Sequence, residues 1–179
     1  MIMRSGVRKF ALATHLTFSV GWIGAVVAYV ALGVAAVSSQ DAQTVRGAWI
    51  AMELTGWYVI VPLALGSMLT GLVMALGTKW GLFRYYWVLF AFVLTTLATV
   101  VLLLHMPTVS SQVQVVRDAK GTSLDELGGD LFHSVLGLVV LLVIQVVNVY
   151  KPPGMTRYGW RKQNEQRRKQ DVQHTAPMS

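Results

Sequence analysis

Cysteine is absent from all 179 residues, which removes disulfides, iron–sulfur clusters, thiolate metal sites and cysteine nucleophiles together. A metal or haem in this chain would have to take His, Met or carboxylate ligands. Charge is also scarce. Only 13% of residues are charged, about half the fraction that soluble domains carry. Phosphate-binding loops, nucleophile elbows and zinc-protease helix motifs are all missing, so no soluble hydrolase or transferase reading has support.

What fills the chain instead is apolar: 54% of residues are hydrophobic and the mean hydropathy is +0.54. Residues 10–37 contain no Asp, Glu, Lys or Arg, and a run of that length crosses a bilayer core as a helix. Three further runs, 48–76, 85–106 and 131–150, resemble it. The expected fold is therefore all-α, a polytopic four-helix transmembrane bundle over residues 1–150, followed by a basic tail over 151–179. The first run is too long for a cleaved signal peptide, so it reads as a retained anchor.

Local chemistry refines this expectation. Gly21, Gly24, Ala25, Ala28 and Gly33 offer small surfaces for close helix approach. Pro62 should kink the second helix. One side of that helix, Glu53, Ile60, Ala64, Ser67 and Gly71, is small and polar and should face the interior. Tyr85-Tyr86-Trp87 forms an aromatic belt, and Pro107 should stop the third helix. A polar link over 107–130 follows, with Gly121 and Gly128-Gly129; its Ser110–Arg117 part reads equally as a short surface helix or a strand. The tail has too little apolar content to fold alone. Tyr158 and Trp160 should hold its first part at the headgroups, with the remainder disordered.

Basic residues partition by position. The N-terminus holds three Lys or Arg, the turn over 77–84 two and the tail seven; Arg46, Arg117 and Lys120 occupy the other links. The positive-inside rule then places both termini in the cytoplasm, for a multi-pass protein of the inner (cytoplasmic) membrane. The net charge of +7 is explained by this topology and by anionic lipid headgroups at the tail, and no nucleic-acid partner is expected.

That orientation brings Glu53, His105 and His133 to one layer at the non-cytoplasmic boundary. His15 lies roughly 20 Å away along the bilayer normal by helical rise. Ionisable groups within spanning segments are functional candidates by default. His105 and His133 suit the axial positions of one b-type haem. With Glu53 they form instead a two-His, one-carboxylate set for a divalent metal; Glu53 can also orient an imidazole from behind. Two stacked bis-His haems would need four intramembrane imidazoles. Only three exist, since His174 belongs to the tail.

The spacing of His15, Trp22 and Gly24, His–six residues–Trp–x–Gly, resembles the first helix of the copper-resistance D type membrane proteins. It is also similar to that of membrane-bound protoporphyrinogen oxidases of the HemJ type. The resemblance is confined to this helix and implies haem or copper contact by His15. Met52-Glu53-Leu54-Thr55-Gly56-Trp57, Gly81-Leu82-Phe83-Arg84 and Tyr150-Lys151-Pro152 through Tyr158-Gly159 resemble small bacterial four-helix membrane proteins of unknown function. That likeness implies a fold and no activity. Three functional expectations remain open: a haem- or metal-binding redox module, a structural or accessory subunit of a larger complex, and a small homo-oligomeric transporter with Glu53 as proton carrier.

Overall fold

A computed structural model describes residues 3–78, 80–118 and 130–175. The helices are α1 (Ser5–Ser38), α2 (Ala42–Thr55), α3 (Val61–Gly77), α4 (Tyr86–Asp118), α5 (Leu131–Tyr150) and α6 (Arg157–Thr175), with a π-helical turn (Gly56–Ile60) between α2 and α3. Through that turn α2 and α3 form one rod, Ala42–Gly77, and with α1, α4 and α5 this makes four helices long and apolar enough to cross a membrane. α1 packs against the rod and against α5, and α4 does the same from the other side. Gly121, Gly128 and Gly129 of the expected link, together with Lys79 and Lys120, lie outside the described residues.

Inside lipid, apolar burial drives little association, because acyl chains are as apolar as leucine. The α1–α3 seam is accordingly built from close approach and polar ties. Ser19 Oγ meets Ser67 Oγ at 3.0 Å and His15 Nδ1 meets Thr70 Oγ1 at 3.0 Å. A Cβ on Gly66 would stand 2.5 Å from the Phe18 ring. Ile60, Ala64 and Ser67 are buried, on the face read as interior. Phe10, Leu104 and Phe132, by contrast, are exposed, and an acyl environment suits them.

Pro62 sits in the first turn of α3, where a missing N–H costs least. The π turn immediately precedes it, with Val61 N–H bonded to Gly56 O. An extra residue in the helix thus absorbs the proline's disturbance. A Cβ on Gly56 would collide with Met106 Cε, so the turn also admits α4 at close range.

The expected stop at Pro107 does not occur. α4 runs through Pro107 to Asp118, and the segment left open as helix or strand is its continuation. Val109, Val113 and Val116 there are buried against Val45, Ala48 and Trp49 of α2. At 33 and 36 residues, α4 and the α2–α3 rod are longer than a hydrocarbon core of about 30 Å requires, and their shared end has a dense apolar core. Burying three valines outweighs one absent hydrogen bond. Asp41 starts the pair's other helix by accepting from the N–H groups of Gln43 and Thr44 and from Thr44 Oγ1. These donors, the Thr44 hydroxyl foremost, hold its carboxyl below the usual range.

In the tail, for which disorder beyond its first part was expected, the described residues form α6 over Arg157–Thr175. Its start is locked to the turn before α4. Thr156 Oγ1 donates to Phe83 O at 2.5 Å and accepts from Gly159 N–H, capping the helix. A Cβ on Gly159 would lie 2.5 Å from the Arg84 carbonyl oxygen. At this end Met3 N–H also donates to Gly77 O. The N-terminus, the turn at Arg84 and the start of α6 therefore share one end of the bundle, and α6 continues from there as an exposed polar rod.

Two outcomes are expected. Gly66→Ala should lower stability in detergent by about 1–3 kcal/mol through overpacking on Phe18, whereas Gly24→Ala, with nothing within 4 Å of its Cβ, should change it by less than about 0.5 kcal/mol. Thermal unfolding followed by circular dichroism compares them. Because Asp41 is depressed, its support for α2 is full at neutral pH and lost as pH falls through its folded value. The Thr44 amide resonance should therefore titrate below the ordinary carboxylate range.

Candidate functional site

α4 and α5 meet at the end of the bundle opposite Met3 and the start of α6, and Asp130, at the N-cap of α5, stands there. Asp130 makes no side-chain capping bond to α5; its backbone carbonyl takes Ser134 N–H and Ser134 Oγ instead. The carboxylate is left to reach sideways, close to the positive end of α5. Oδ2 accepts the Tyr29 hydroxyl of α1 at 2.8 Å, and Oδ1 lies 2.5 Å from His105 Nε2 of α4. One buried carboxylate thus ties three helices.

His133 stands one turn into α5 on the same face as Asp130. Its Nδ1 is 3.7 Å from that same Oδ1. The His105 and His133 rings stack, with centroids 4.6 Å apart and planes 22° apart. One ligand atom from each of His105, Asp130 and His133 falls within 4.8 Å of the others. The site is graded from inside out: Asp130 is 7% exposed, His105 22% and His133 58%. Its inner wall is Tyr29 and its outer edge meets solvent.

Of the residues chosen from sequence, His105 and His133 come together. Glu53 is placed elsewhere, paired with Arg117 Nη2 at 3.4 Å. Arg117 lies twelve residues beyond His105, about 18 Å of helix rise. The carboxylate beside the imidazoles is that of Asp130, which sequence reasoning passed over in favour of an acid inside an apolar run. The signal was an Asp three residues before a His at the start of a helix, a spacing that shares one face. His15 is separate, near the basic end. Thr70 Oγ1 sends its proton to Gly66 O at 2.6 Å, so His15 Nδ1–H donates to it.

Chemically, two imidazoles and one carboxylate that converge on a point suit an imidazole-preferring divalent cation. They suit a haem less well. Axial imidazoles stand on opposite faces of a porphyrin, whereas these two rings lie against each other.

Asp130→Ala would strand both the Tyr29 hydroxyl and His105, and is expected to cost about 1–3 kcal/mol; Tyr29→Phe, removing one partner of a carboxylate that keeps another, about 1 kcal/mol. Unfolding midpoints of the two variants in one detergent check the order.

No protein-family model, curated protein or solved structure matches the chain.

Proposed function

We propose that this chain is a small membrane protein that holds one divalent transition-metal ion at the non-cytoplasmic boundary, using His105, Asp130 and His133. The observation carrying this reading is that nitrogens from two helices approach one carboxylate oxygen, Asp130 Oδ1. In the reading, Tyr29 orients the carboxylate from behind. Zinc, copper(II) or iron(II) suits such ligands, and three protein donors leave positions open for water or an exchanging ligand. Exposed His133 gives the ion its route in. The basic end faces the cytoplasm of the inner membrane by the positive-inside rule, and exposed, cationic α6 meets anionic headgroups there. Binding joins helices already tied by hydrogen bonds, so the ion acts on the packing of α1, α4 and α5.

Cobalt(II) serves as the spectroscopic probe. Titration into purified protein should give visible d–d absorption saturating at one equivalent, displaced by zinc. At a hundredfold excess over the dissociation constant, zinc should stabilise the fold by about 2.7 kcal/mol. His105→Ala and Asp130→Ala should abolish both signals, His133→Ala should weaken them, and Glu53→Gln should leave them intact. Absence of binding, or binding insensitive to Asp130→Ala, refutes the proposal.

A further inference from the structure

At the opposite end from the metal site, all four spanning helices enclose a cavity of about 680 Å³, a size typical of small-molecule sites. We propose that this cavity is a binding site for one glycerophospholipid with an anionic headgroup. The proposal stands independently of the metal site.

Charge is the first argument. Arg8, Lys9 and Lys151 line the cavity at the basic end of the bundle, and no carboxylate lines it among the described residues. The Lys151 ammonium is held 5.4 Å from the Trp80 ring centroid, and Trp87 stands beside it in the lining. Tryptophan and cations together at a helix end mark the headgroup level.

Depth is the second. Going inward from Arg8, His15 lies about 10 Å down α1 by helical rise; going inward from Lys151, Asn148 and Gln145 lie about 4.5 and 9 Å up α5. All three line the cavity. The Gln145 and Asn148 amides sit half-buried in a spanning segment, with no hydrogen-bond partner among the described residues. Amide donors unsatisfied at that depth favour a guest that brings acceptors. A phosphate at the cations would set the glycerol ester carbonyls at the level of these amides. Adjoining it, a chamber of about 30 Å³ that these two amides also line, with Ser19, Ser67 and Thr95, has room for about one water.

Shape is the third. The cavity cannot contain a whole phospholipid, so acyl chains must leave sideways. Leu12, Leu16 and Val149 of its wall are themselves outward-exposed, and they provide an apolar exit into the bilayer. A free inorganic anion would make no use of that wall or of the deeper amides.

The test is native mass spectrometry of the full chain released from micelles containing equimolar dioleoyl phosphatidylglycerol and phosphatidylcholine. One phosphatidylglycerol should be retained, favoured by about tenfold or more. The variant combining Arg8→Gln, Lys9→Gln and Lys151→Gln should bring the two lipids to parity. Gln145→Leu with Asn148→Leu should weaken retention while helicity by circular dichroism is unchanged. Neutralising Arg167, Arg168 and Lys169 of α6 should leave the preference intact. Equal retention of both lipids by the unmodified chain overturns the proposal. So does a preference that follows the α6 charges, or displacement of the lipid by glycerol phosphate at equal concentration, which would mark a free-anion site.

Discussion

Where lipid surrounds a helix, grease does not hold it to its neighbour, and backbone polar atoms must find partners inside the protein. The packing follows from that constraint. α1 and α3 touch through Ser19–Ser67 and His15–Thr70, with the bare backbone of Gly66 under Phe18. Threonines along α4 return their hydroxyls to their own helix, Thr95 to Ala91 O and Thr99 to Thr95 O. Asp130 supplies a tie that reaches three helices, and it stands at the end of the span, where a carboxylate is easiest to keep.

Past Pro107 the packing changes character. Among the most deeply buried side chains are Val109, Val113 and Val116, on the last third of α4, where apolar burial against α2 rather than polar ties holds the helices together. Glu53 and Arg117 pair on the flank of this extension. At the other end the anchoring is through backbone: Thr156 and Gly159 fasten α6 to the turn at Phe83 and Arg84. The bundle thus has a packed cap at one end and a basic, hollow one at the other.

The two proposed sites belong to these two ends and call for opposite chemistries. The cap offers imidazole and carboxylate to a cation from water, while the hollow end offers cations and amides to an anionic amphiphile. The two lie on opposite ends of α1: Tyr29 reaches Asp130, and His15, fourteen residues or about 21 Å earlier, lines the cavity.

Hydropathy alone was enough to read four spanning helices, because a stretch such as 10–37 has only one stable conformation in lipid, a helix bonded to itself. The inward side of the second helix was equally legible, from the periodicity of Ile60, Ala64 and Ser67. Pro107 misled, since a proline signals a stop only when nothing beyond it is buried, and the valines that hold α4 together find their partners on α2. The tail's composition lacks a core, but the first turn of its helix is fixed by the Thr156 hydroxyl and N–H donating to carbonyls of a turn some seventy residues away. His105 and His133 could be named from sequence. That their carboxylate is Asp130 depends on which side chains converge across helices, and tertiary packing alone decides that, because spacing along one helix specifies a face and not the neighbour it meets.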